Sequence, residues 1–375
     1  MKDVRTIRVS PKAGARPRRI ISLDWARGLL ILANLAMIAY LYPSWEQLKH
    51  PQWLGVTAFD LIFPTFVTLS GCGLAFAYAR RVDPWTTARR VVVLFGAGLL
   101  YNAALTGNLD PTSLRFLGPL QVYAVLVLVV ALLHLVVHRL RTWVAVTIGW
   151  AAVWTAASWA FYRQCPTGVP TRSCNLSAAV DLRLFPADHL YRQGALGHDP
   201  EGLAAMAGAL LTMLVGVTAG KVLLARNDTK VTAGRLVAWL VAVALVGSLA
   251  AQVVVPFKRV WSPSFAMLAA TVGLTLLIVG YLLHDRPTSQ WWQRHRERSA
   301  EPFVAMGRNA LVLYFGAHLV LHQLYVLGDP TLAAWARDST LLGVIDARLF
   351  VAVLFVAAFV TLAWGLHRRR IYIHA

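Results

Sequence analysis

Ten apolar runs constrain this chain more than any other feature. They fall near residues 20–42, 55–79, 91–107, 116–137, 142–162, 203–224, 236–256, 262–284, 302–325 and 345–367. A helix needs about 20 apolar residues to cross a bilayer. Within hydrocarbon every backbone polar group needs an internal partner, which a helix supplies. The sequence therefore predicts an all-α, polytopic integral membrane protein with about ten transmembrane helices. Hydrophobic residues fill 58% of the 375 positions and charged residues 14%, which excludes an ordinary soluble domain. Asn102 and Gly107 interrupt the third run. No cleavable signal peptide is expected, because the basic start lacks a small-residue cleavage site after a short apolar core.

The net charge of +19 invites a nucleic-acid reading, and its distribution excludes one. With both termini cytoplasmic, the inner segments are 1–19, 80–90, 138–141, 221–235, 285–301 and 368–375. They carry 7, 4, 2, 4, 4 and 3 Lys or Arg, 24 of the 36 in the chain. Every short inner loop is basic, the positive-inside pattern, so the charge reports orientation and contact with anionic lipid. The expected organisation is a basic cytoplasmic tail over 1–19, a transmembrane domain over 20–367 and a second basic tail over 368–375. Both tails are expected to be disordered or to lie on lipid. The expected location is a cell membrane, a bacterial inner membrane, since no organelle-sorting signal is present. Small residues at Gly71, Gly73, Gly96, Gly98, Gly216 and Gly220 permit close helix packing and are compatible with a homodimer.

Cys72 falls in the second run, where packing explains it. Cys165 and Cys174 share the longest polar loop, 163–202, which the charge pattern places outside. The sequence allows a disulfide there, favoured by an oxidising compartment, or two free thiols. The loop is long enough for a lid or an acceptor-binding surface.

Polar chemistry gathers at the ends of the runs. His50 and Trp53 precede a helix that carries Asp60 about one turn inside its start. A titratable group at membrane depth is a candidate functional residue, and a histidine at the membrane edge can exchange a proton near neutral pH. The alternative is a helix-capping Asp60 beside a solvated His50. Asp24 and Arg27, three residues apart, share a helical face. They form a local salt bridge, or Arg27 faces the bundle and meets an anion. Asp199 and Glu201 open the sixth run, where carboxylates suit the helix dipole and could also hold a sugar's amine or hydroxyls. Lys258 and Arg259 sit in an outer turn against the orientation bias. Arg308 and Asn309 lie in the inner half of the ninth run, where an intramembrane Arg needs an anionic or carbonyl partner. His318 follows towards its outer end. His318 and His322 are four apart, yet no HExxH pattern or paired Cys supports a metal, and none is expected.

These clusters together resemble the heparan-alpha-glucosaminide N-acetyltransferase family and its bacterial relatives. The matching segments are SLDxxRG at Ser22 to Gly28, KHxxWxGxTxxDLxFPxF at Lys49 to Phe66, DPEG at Asp199 to Gly202, the lysine-containing WSPS turn at Lys258 to Ser264, and GRNALxLY at Gly307 to Tyr314. Five motifs in order span about 19 to 320. No counterpart is expected of the large extracytoplasmic domain that precedes the first span in the lysosomal member. The family's asparagine near the outer end of that span has no match between Ile38 and Tyr42, and Asn34 sits about one turn deeper. Position 54 is Leu where Asn or His is common.

The resemblance implies an enzyme: a membrane acyltransferase that moves an acetyl group from cytoplasmic acetyl-CoA to an extracytoplasmic sugar amine or hydroxyl. The family's active-site histidine falls on His50. Asp60 would orient that imidazole. Arg27, Arg308, Asn309 and Asp24 are expected at the donor, with Arg80 and Arg81 ranked below them. Trp53, Asp199, Glu201, Lys258 and His318 are expected at the acceptor. Expected partners are acyl-CoA, a glycan or amino-sugar acceptor and membrane lipid. The alternative class is a transporter or flippase for a polar glycan or lipid-linked intermediate, although no inverted-repeat symmetry is evident.

Overall fold

A computed structural model describes residues 20–39, 46–225, 228–285, 290–325, 340–341 and 345–373. The helices are α1 (Ile21–Ala39), α2 (Ile62–Ala77), α3 (Pro84–Thr106), α4 (Pro119–Val136), α5 (Leu140–Tyr162), α6 (Leu176–Leu184), α7 (Leu203–Leu224), α8 (Thr229–Ala251), α9 (Pro263–Gly280), α10 (Gln290–Arg308), α11 (Ala310–Tyr325) and α12 (Ala347–Arg368). A two-residue antiparallel ladder, Thr340–Leu341 with Ile345–Asp346, precedes α12. Among the described residues nine stretches are long and apolar enough to cross a bilayer alone. α10 and α11 make a tenth as a pair bent by 63°. The chain is an all-α polytopic membrane protein.

α7 is the central helix, with 83% of its most apolar window buried. It packs against α2 so closely that a Cβ at Gly216 would overlap the Thr68 carbonyl, and one at Gly71 the Met213 carbonyl. These glycines, with Gly220, serve a contact inside the chain rather than one between copies. Indole N–H groups tie the neighbouring helices to α7: Trp150 of α5 donates to the Ala207 carbonyl at 2.9 Å and Trp239 of α8 to that of Val215 at 3.1 Å. Such bonds satisfy the polar edge of a buried ring.

Several boundaries differ from the periodicity. α3 begins at Pro84, seven residues before the third apolar run. The Asp83 side chain accepts from the Thr86 N–H and Pro84 occupies the first turn, a cap that starts a helix irrespective of hydropathy. Arg89 and Arg90 therefore lie on a helix, not in a loop. α8 likewise begins at Thr229. The ninth run is not one span from Pro302. α10 continues through Pro302 to Arg308, crosses α1 where Gly28 admits the Phe303 carbonyl, and breaks at Asn309 before α11.

Several helix ends are fixed by side chains. Both oxygens of Asp285 accept from the first amides of α1, Ile21 at 3.1 Å and Ser22 at 3.0 Å. An acidic cap suits the positive end of the helix dipole. The C-terminal segment is not a loose tail through 373. The Asn309 amide donates to the Ile371 carbonyl at 3.3 Å and its oxygen accepts from the Ile373 N–H at 3.2 Å. The 1–19 tail lies outside the described residues. Loop 163–202 is built rather than loose: Cys165 and Cys174 are disulfide-bonded with Cα atoms 5.9 Å apart, and α6 with two short turns follows.

Candidate active site

The loop before α2 carries His50 onto the carboxylate of Asp60. Nδ1 of His50 lies 2.6 Å from Oδ1 of Asp60. Oδ2 accepts from the Thr57 N–H at 3.0 Å and the Thr57 hydroxyl at 3.2 Å. Asp60 is buried, while 43% of the His50 side chain is exposed. The ring stacks on Phe59, with centroids 4.5 Å apart.

Lys258 arrives from the turn between α8 and α9. Its Nζ is 3.0 Å from Asp60 Oδ1, 3.0 Å from His50 Nδ1 and 3.3 Å from Nε2. Because Asp60 takes the Nδ1 proton, the lone pair sits on Nε2, where the ammonium can meet it; the tautomer follows from the partners. The turn is tightly determined. Ser262 Oγ accepts from the Phe257 N–H at 2.9 Å and donates to the Val255 carbonyl at 3.0 Å, and Ser264 donates to the Val254 carbonyl at 2.6 Å. Trp261 takes a left-handed backbone, φ 48°, uncommon for a bulky residue. Its indole is held by Thr212 at 3.1 Å. Arg259 donates to the Pro51 carbonyl at 3.0 Å, which locks the turn to the His50 loop. The two cations of this turn thus have local reasons to be there.

Surrounding protein displaces water from His50 and holds its pKa below the ordinary value. The charges of Lys258 and Arg259 act the same way, and the Asp60 hydrogen bond and charge oppose them. Lys258 is also held low by desolvation, against the pull of Asp60. The cluster presents a neutral imidazole at neutral pH, the form a general base needs.

Towards the α1 N-terminal end of these helices lies a cavity of about 420 Å³. Arg27, Arg90 and Arg308 line it together with Ser70, Gly73, Leu74, Leu311 and the rings of Phe63, Phe66, Tyr123 and Tyr314. Arg27 donates to the Leu69 carbonyl at 3.2 Å. The Arg308 guanidinium sits over the Tyr372 ring. Hydropathy leaves Arg90 outside the third apolar run, and only the α3 cap at Asp83 puts it on the helix. Ile373 also lines this cavity, so the C-terminal segment forms part of its wall.

The remaining expected residues divide. Asp24 is buried on α1, and its carbonyl abuts Gly307. Asn309 is buried and engaged by the C-terminal segment, not at the cavity wall. Asp199 is saturated: Oδ1 accepts from Arg115 at 2.7 Å and from the Glu201 N–H at 3.0 Å, and Oδ2 from the Tyr191 N–H at 2.8 Å. Glu201 also takes Arg115, at 2.6 Å, and keeps 19% exposure. Arg115 stands in a polar loop with no motif around it. Trp53 donates to the Pro170 carbonyl at 2.9 Å and packs edge-on against His198 and Phe257. His318 donates to the Tyr314 carbonyl at 2.8 Å and interacts electrostatically with His50. Asn34, seven residues after Arg27 on the same face of α1, is buried, and its amide has no hydrogen-bond partner among the described residues. Among the described residues no group of three metal-ligating side chains occurs.

A family model described as heparan-alpha-glucosaminide N-acetyltransferase, catalytic, matches residues 19–177, the part that carries α1, His50 and Asp60. The chain is similar to that family over this segment. Heparan-alpha-glucosaminide N-acetyltransferase of Homo sapiens is 24% identical over 366 residues, covering 81% of this chain and 53% of the human protein. The Mus musculus protein is 23% identical over 365 residues, covering 82% and 54%. The chain spans about half the length of these curated relatives. Lys258 and Arg308 fall beyond the matched 19–177 segment.

Proposed function

We propose that this protein is a transmembrane acyltransferase that carries an acetyl or similar acyl group from cytoplasmic acyl-CoA to an amine or hydroxyl of an extracytoplasmic glycan. The observation that carries the reading is the pairing of two features on one set of helices. An imidazole–carboxylate–ammonium cluster stands at one end, and an arginine-rimmed cavity opens towards the other.

Arg27, Arg90 and Arg308 suit the phosphates of the donor, since a guanidinium binds phosphate through a planar fork. With phosphates there, the pantetheine arm runs up the apolar cavity. Asp60 keeps the Nδ1 proton in place, and Nε2 takes the proton of the acceptor once that group displaces the Lys258 ammonium. The acceptor nitrogen or oxygen bonds to the thioester carbonyl carbon, the C–S bond breaks, and CoA leaves as the thiol with the proton from Nε2. In the covalent variant Nε2 attacks first and the acyl-imidazole passes the group on. The Asn34 amide would stand in for the family's asparagine as a donor to the carbonyl oxygen, and Glu201 would meet an acceptor amine.

The test uses purified protein in detergent with radiolabelled acetyl-CoA, following CoA release and label on protein. His50→Ala is expected to reduce release by roughly 10²–10⁴-fold, the usual worth of a positioned proton-transfer group, without loss of fold. Label retained on wild type identifies the covalent variant. If neither acetyl-CoA nor longer acyl-CoAs bind or turn over, the reading falls and transport of a glycan takes its place.

A further inference from the structure

The cavity stops short of the cluster it would have to serve. His50, Asp60 and Lys258 are absent from its wall, and its outer end is formed by Phe63, Phe66, Tyr123 and Tyr314. Phe63 lies three residues inward of Asp60 on α2, and Tyr314 one turn inward of His318 on α11, so these rings occupy the step between cavity and His50. They interlock. Phe63 meets Tyr123 edge-on with centroids 5.7 Å apart and Tyr314 at 6.2 Å, and Tyr314 meets Phe66 at 5.7 Å. Behind them Phe63 abuts Trp261 at 5.8 Å and Tyr314 lies on His318 at 4.6 Å.

We propose that Phe63, Phe66, Tyr123 and Tyr314 form an aromatic collar that admits only a short acyl group from the cavity to His50 and so sets the chain length the protein transfers. This rests on the acyltransferase reading. The cavity follows one stripe of α2, from Ala77 through Leu74, Gly73, Ser70 and Phe66 to Phe63. Fourteen residues of helix rise roughly 21 Å, comparable to the reach of an extended pantetheine arm. With phosphates at the inner arginines, the thioester arrives at the rings, and every carbon beyond it must enter the collar. Rings in mutual contact fill such a space and have only two side-chain torsions through which to yield. Interiors packed this way resist added methylenes. An acetyl group adds one carbon beyond the carbonyl, whereas a butyryl group adds three.

Tyr314 and Phe63 each meet two other members of the collar, so removing either ring opens it. The experiment compares kcat/KM for acetyl-CoA, butyryl-CoA and hexanoyl-CoA in wild type, Tyr314→Ala and Tyr314→Phe, with a fixed amino-sugar acceptor or CoA release as readout. Tyr314→Ala is expected to raise the butyryl-to-acetyl ratio by about tenfold or more, since one methylene misfitted in an apolar pocket is worth about 10–200-fold. Tyr314→Phe keeps the ring and is expected to keep the wild-type ratio. The ratio is internal to each preparation, so partial inactivation cancels. Should Tyr314→Ala not yield folded protein, Phe63→Leu opens the same end and carries the same expectation. A wild type that already uses hexanoyl-CoA as well as acetyl-CoA overturns the proposal, and so does an unchanged ratio in folded Tyr314→Ala or Phe63→Leu. A wild type that turns over none of the three overturns the acyltransferase reading itself.

Discussion

Asp60 decides how His50 behaves. All of its acceptor capacity is spent on His50, Lys258 and Thr57, and it is the group that counters the depression of the imidazole pKa by burial and by Lys258. Opposite substitutions are therefore expected to shift the pH dependence in opposite directions. In wild type, His50 protonates below its ordinary pKa, so kcat/KM should hold through neutral pH and fall only as the medium becomes more acidic. Lys258→Met removes a cation that favours the neutral ring, so the acidic limb should move to higher pH. Asp60→Asn removes the anion that favours the charged ring, so the limb should move to lower pH, with a loss of stability of about 3–5 kcal/mol because Lys258 is left without its counterion. A pH–rate profile of each variant checks the signs, and limbs that do not move would remove His50 from the reaction. At this scale the His50–Asp60 relation was legible, since ten residues separate them and a short loop returns one to the other. The partnership with Lys258 spans 208 positions. In one dimension it showed only as a basic outer turn against the orientation bias.

The elements that hold this cluster are the disulfide hairpin and the turn before α9, joined through Trp53. That indole bonds the hairpin at Pro170 and wedges against Phe257, the residue before Lys258. Trp53 was expected to touch the acceptor. Its contacts join two loops, and a positioning role is the one the following variants test. Trp53→Phe should retain the packing and lose about 1 kcal/mol for the hydrogen bond. Trp53→Ala should destabilise by about 3 kcal/mol, the low end for a core aromatic because the site is only half-buried, and should lower kcat more than donor KM. Thermal midpoints in detergent and CoA-release kinetics check both; a donor KM that rises with kcat unchanged would place Trp53 at the donor. The bend between α10 and α11 escaped the sequence for a related reason. Hydropathy read 302–325 as one run, while the break is imposed by Gly307 against α1 and by Asn309 anchoring the C-terminal segment. Contacts between helices set that break, and no periodicity within one helix records them.

Across the whole molecule the class was legible because the bilayer demands long apolar helices, and among the described residues up to ten stretches are long and apolar enough to cross when the bent pair counts as one. What hydropathy could not show is which polar groups each end collects. His50, Asp60 and Lys258 meet at one end, while Asp285 caps α1 at the other. Arg90, Arg115 and Ile373 acquire their places only through packing. Orientation is a separate matter, carried by the basic segments: Arg139 lies between α4 and α5 and Arg141 in the first turn of α5, and the 163–202 loop with Asp188 lies at the other end of α5. A positive-inside bias puts Arg139 in the cytoplasm and Asp188 outside. Asp188→Cys, an exposed position, should therefore react with a membrane-impermeant maleimide on intact cells. Arg139→Cys, equally exposed, should react only after permeabilisation. Cys72 is buried and should stay silent, and Cys165 and Cys174 are protected as the disulfide. The reverse labelling pattern would place His50 on the cytoplasmic side with the arginine-rimmed cavity facing outward. Cytoplasmic acyl-CoA could not then enter as proposed, so the labelling pattern tests the direction of transfer without any substrate.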